Sequence, residues 1–89
     1  MAEIRLDELL WSDKALIKVA KRGLTPSEVY DAIILDPNRQ LRWVEDETHG
    51  SRLMAMGTCE SNNRKVLAYL DPVNKFDGIW AVRTAWGID

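Results

Sequence analysis

One cysteine, one histidine, one phenylalanine and three prolines are all that the 89 residues hold of those types. No apolar run approaches the roughly 18 residues that a membrane span needs, so no membrane partner is expected. The lone Cys59 has no internal partner for a disulfide and fits a reducing compartment. With His49 it leaves too few soft ligands for a metal centre, and neither a metal nor a cofactor is expected. The opening MAEIRLDELLW has no basic stretch leading into an apolar one, so no secretory leader is read there and a cytoplasmic protein is expected. The chain also lacks an excess of positive charge. Twelve bases face 14 acids, for a net charge of −2, unlike a strong non-specific nucleic-acid binder. Gly50 and Gly57 are not set in a strand, Gly-rich turn and helix, so they form no phosphate loop. Asp71-Pro72-Val73-Asn74 lacks the spacing of a calcium loop. There is no internal repeat and no low-complexity segment.

What is present suits one globular domain over residues 1–89. Apolar residues are 46% and charged ones 29% of the chain, an ordinary balance for a folded protein. Residues 3–11 read as an extended lead-in or entry strand. Ser12 is an N-cap with Asp13 favourable behind it, and Gly23 stops the helix that runs over 13–22. Leu16, Val19 and Ala20 form its apolar stripe. Lys14, Lys18, Lys21 and Arg22 form a basic one, whose simplest reading is a solvated face. Thr25-Pro26-Ser27-Glu28 is a capping box with proline at the first helical position, opening a second helix that Asp36-Pro37-Asn38 ends.

After residue 38 the period changes. Strands are predicted over 40–44, 52–58, 64–70 and 79–86, with a polar connection at 45–50, a turn at 60–63 and a turn-rich loop over 71–78. Short connections between consecutive strands imply an antiparallel meander. The fold class is therefore α+β, with two N-terminal helices packed on one face of an antiparallel sheet of three to four strands. Strict alternation in the last strand puts Trp80, Val82, Thr84 and Trp86 on the helix-covered face, and Ile79, Ala81, Arg83 and Ala85 on the open one. Two readings of Arg83 stay open: a ligand-holding guanidinium with room around it, or half of an ion pair with an acid such as Glu45 or Asp46. Of the four tryptophans, Trp11 and Trp80 are the stronger core candidates, and Trp43 and Trp86 the more plausible interface anchors.

The order of these motifs resembles a known family. Trp11-Ser12-Asp13-Lys14 and Lys21-Arg22-Gly23-Leu24-Thr25-Pro26-Ser27-Glu28 look like the opening of the BrnT toxins of bacterial type II toxin–antitoxin pairs. Asp46-Glu47-Thr48-His49-Gly50-Ser51-Arg52, Gly57, Arg64-Lys65-Val66-Leu67 and Val82-Arg83-Thr84-Ala85 resemble the family's later segments. Arg22 stands where the family usually has a histidine. The resemblance, over roughly residues 10–86, implies a RelE-like fold and metal-independent cleavage of an RNA substrate. It also implies a partner, a ribbon-helix-helix antitoxin, and an oligomer formed with it. The site residues it implies are Arg83, Arg64, Arg52 and Lys21, basic groups that would hold the scissile phosphate, together with the loop histidine His49. The missing histidine at position 22 and the acidic balance favour an alternative. In it the chain is a catalytically inactive relative, acting as a small RNA- or protein-binding module.

Overall fold

The computed structural model describes residues 4–48 and 50–88. Strand β1 (Glu8–Leu10) leads into helix α1 (Asp13–Lys21) and helix α2 (Pro26–Tyr30). The second helix continues as a π-helical turn, Asp31–Leu35, and four strands follow: β2 (Gln40–Asp46), β3 (Gly50–Cys59), β4 (Arg64–Asn74) and β5 (Ile79–Gly87). The sheet has five strands in the order β1-β5-β4-β3-β2. β2 to β5 form the expected antiparallel meander, but β1 adds to β5 in parallel, with Leu9 opposite Trp80. The sheet is thus mixed and larger than three or four antiparallel strands. The α+β class stands.

Local chemistry accounts for the helix starts. Ser12 Oγ accepts from the Ala15 N–H at 3.1 Å, and Thr25 and Glu28 close the capping box in both directions. Helix α1 is rotated from the stripe expected of it. Ala15 and Val19 are buried, whereas Leu16 and Ile17 are 37% and 58% exposed. A single i, i+4 pair is enough because α1 packs chiefly against β5, whereas the π-helical turn packs on β3 and β4. Strand β4 runs on through Asn74, so the loop expected over 71–78 shrinks to the turn that joins it to β5.

The core lies between the helices and one sheet face. Leu53, Ala55 and Cys59 of β3, Val66, Ala68 and Leu70 of β4, and Trp80, Val82 and Ala85 of β5 meet Val19, Val29, Ala32 and Ile33 from the helical layer. Trp80 is 1% exposed and donates its indole N–H to the Arg5 carbonyl at 2.7 Å. Gly57 is the closest approach of the two layers: a Cβ there would stand 1.8 Å from the Ala32 carbonyl oxygen. Asp36 ties the same place, accepting from the Thr58 N–H at 2.9 Å. No helix among the described residues is long and apolar enough to cross a membrane.

Candidate functional site

One irregularity shapes the uncovered face. Tyr69 pairs with Thr84 and the next residue, Leu70, pairs with Val82, so Arg83 is the extra residue of a β-bulge. A bulge resets the side-to-side alternation beyond it. Ala85 consequently turns inward and is buried, while Thr84 and Trp86 turn out beside Arg83. The expected placing of Thr84 and Trp86 against the helices, and of Ala85 on the open side, is corrected by this single insertion. A uniform period of two cannot represent it.

Two arginines meet on the open face around one carboxylate. Arg52 Nε lies 3.4 Å from Asp71 Oδ1, and Arg83 Nε lies 3.0 Å from Asp71 Oδ2. The acid that engages Arg83 is therefore Asp71, its neighbour across the sheet. Arg52 is largely enclosed at 14% side-chain exposure and its Nε makes no hydrogen bond, whereas Arg83 is 48% exposed. Arg83 is thus both a paired residue and an accessible one. One residue along, the rings of Tyr69 and Trp86 stand 5.6 Å apart at 48°. The Arg22 guanidinium covers Trp86 at 5.3 Å from the ring centre, and donates to Thr84 Oγ1 and, at 3.4 Å, to the Ala85 carbonyl. Beside Arg52 an open hollow of about 520 Å³ is lined by Val44, Glu45, Glu47, Thr48, Arg52 and Tyr69.

The other expected site residues lie elsewhere. The register puts Arg64 opposite Cys59, on the helix-covered side. There its Nη1 donates to the Gly23 carbonyl at 2.8 Å and stands 3.7 Å from Glu28. Its guanidinium also fills the space above Gly87, where a Cβ would come within 2.7 Å of Arg64 Nε. Arg64 ties the start of β4 to the helix junction and does not join Arg52 and Arg83. Lys21 is exposed in the last turn of α1. His49 lies outside the described residues. Of the expected set, the fold brings together Arg52 and Arg83.

Glu28 carries a depressed pKa at that junction. The Asn62 side-chain amide first, then the Thr25 backbone N–H, hold its carboxyl below the ordinary 4.5. This is a structural knot, since Glu28 links the cap at Thr25 to Asn62 of the β3–β4 turn. Among the described residues no group of histidine, cysteine and carboxylate side chains is arranged to hold a metal ion. Trp86 is one of the interface anchors that the sequence suggests, whereas Tyr69, Asp71 and Arg22 are site neighbours that reading the chain did not place in a site. Of these, Arg22 had a visible signal, as the last member of the basic stripe. Tyr69 and Asp71 depend on the cross-strand register. No family model, curated protein or solved structure matches the chain.

Proposed function

We propose that the uncovered sheet face binds single-stranded RNA, with Arg52 and Arg83 on the phosphate backbone and Tyr69 and Trp86 against bases. The observation that carries this is the bulge at Arg83, which gathers two arginines and an aromatic pair on one face that no helix covers. Guanidinium forks suit phosphate oxygens, and aromatic faces accept any base. The chain carries a net charge of −2, whereas this grouping sets two arginines against one carboxylate.

The resemblance to BrnT toxins extends the proposal to metal-independent cleavage and to an antitoxin partner of the ribbon-helix-helix type. In such a reaction the ribose 2′-hydroxyl loses its proton to solvent and attacks the adjacent phosphorus. The P–O5′ bond breaks to leave a 2′,3′-cyclic phosphate and a 5′-oxygen that takes a proton from solvent, and the two guanidinia stabilise the charge gathering on the phosphoryl oxygens. The deciding experiment titrates a 2′-O-methyl oligonucleotide, which cannot be cleaved by 2′-hydroxyl attack, into the protein. It follows Trp86 fluorescence against a Trp86→Phe control, and the backbone shifts of Arg52, Tyr69 and Arg83. Changes confined to that face, lost in Arg83→Gln, support binding. Absence of any change at low salt refutes it. The all-ribose oligonucleotide, incubated in parallel with excess protein, separates a ribonuclease from a binding module.

A further inference from the structure

The basic stripe of α1 acquires a second meaning once its neighbours are known. Helix α1 lies along the part of β5 that β1 leaves unpaired, since β1 pairs only with Ile79, Trp80 and Ala81. Between helix and strand is a notch of about 80 Å³, lined by Ser12, Lys14, Ala15, Lys18, Val82 and Arg83. A site for one water needs about 10–15 Å³ of such space, so the notch has room for a small tetrahedral oxyanion. Three of its six lining residues carry cationic side chains. Lys14 and Lys18 stand one helical turn apart and have no acidic partner among the described residues, so they repel one another. Arg83 gives its Nε to Asp71, which leaves its other guanidinium nitrogens for a second acceptor. The Ser12 oxygen accepts the Ala15 N–H, and its own hydroxyl proton remains available to donate. Three cationic residues at one small hollow, in a chain of net charge −2, make a local site suited to an oxyanion.

We infer that the Lys14–Lys18–Arg83 notch is a phosphate-binding site, separate from the Arg52–Asp71–Arg83 cluster and joined to it through Arg83. Resting on the RNA reading above, it holds the phosphate next along the strand from the one at the arginine pair. The bound RNA therefore leaves the sheet face across the flank of β5 toward α1.

The test uses inorganic phosphate as the probe, which needs no RNA. Phosphate is titrated into the ¹⁵N-labelled chain at constant ionic strength, following the amides of Ser12 to Ala15 and the Arg83 Nε–H. Saturable shifts at these groups are expected, weakened at least tenfold in Lys14→Gln/Lys18→Gln and unchanged in Lys21→Gln, which alters the same helix outside the notch. Absence of saturation, or equal weakening by Lys21→Gln, would overturn the site. If phosphate saturates the notch while the 2′-O-methyl oligonucleotide leaves the sheet face unmoved, the notch stands and the RNA reading falls. If RNA binds, the slope of log affinity against log salt becomes shallower by about 0.7 in Lys14→Gln/Lys18→Gln, the loss of one phosphate contact. An unchanged slope overturns the proposed path.

Discussion

Gly57→Ala is the sharpest test of how the helical layer is seated. The added Cβ would stand 1.8 Å from the Ala32 carbonyl oxygen, 2.8 Å from its carbon and 3.3 Å from Asp36 Oδ2. Ordinary contact begins near 3.4 Å, so the π-helical turn must retreat by about 1.6 Å, the difference between the two. The obstacle is backbone, which cannot swing aside as a side chain would. A retreat of that size lifts Ala32 and Ile33 from the sheet, both fully buried, and strains the 2.9 Å bond from the Thr58 N–H to Asp36. Overpacking costs about 1–3 kcal/mol and a weakened, partly buried hydrogen bond about 1–3 kcal/mol, so the sum is at least about 2 kcal/mol. A domain of this length has about 4–13 kcal/mol in all. The melting temperature should fall by at least about 8 °C in calorimetry, at roughly 4 °C or more per kcal/mol. Gly50→Ala is the matched control. Gly50 has φ +77° and no atom within 4 Å of its Cβ position, so that variant bears only the left-handed backbone cost of about 1–2 kcal/mol. If Gly57→Ala melts within about 4 °C of the parent with an unchanged spectrum, the close seating is refuted.

Two further outcomes follow from the charged groups. Glu28 has a lowered pKa in the fold, so its contribution is complete above the ordinary 4.5 and is lost as the pH falls through the lowered value. The gap in melting temperature between the parent and Glu28→Gln should therefore be open at pH 7 and close progressively as the pH falls below 4.5; a gap that widens on acidification would contradict the Asn62 and Thr25 contacts. Asp71→Asn removes the carboxylate with which an RNA phosphate must compete at Arg52 and Arg83. One unit charge at about 4 Å in water is worth about 1 kcal/mol, so 2′-O-methyl oligonucleotide affinity should rise roughly fivefold in a fluorescence titration, and a fall would show that Asp71 positions the arginines instead.

Much of this architecture can be read from the chain because it is set by neighbours in sequence. Ser12, Gly23 and the Thr25–Glu28 box mark helix boundaries through bonds spanning three or four residues. The alternation of Val66, Ala68 and Leu70 likewise marks β4 from within the strand. What escapes is set by contacts distant in sequence. The bulge at Arg83 exists only relative to Tyr69 and Leu70. The burial of Ala15 and Val19, in place of Leu16 and Ala20, depends on where β5 passes α1. Arg64 has the same residue type as Arg52 and Arg83, yet one step of strand parity sends it to the opposite face. The candidate site was legible as a set of arginines and not as a set of neighbours.

The parallel pairing of β1 with β5 has a consequence in time. Residues 8–10 are made early and wait for residues 79–81 before their strand has anything to join. During synthesis α1 and α2 can coil as soon as they emerge, and the β3–β4 hairpin can close locally. The layer that β1 completes must await the last strand. Loop closure across some seventy residues is slow compared with helix formation. The Trp80 indole, which needs the Arg5 carbonyl from the other end of the chain, would therefore report the final folding event, and its fluorescence should change after helical circular dichroism has already developed.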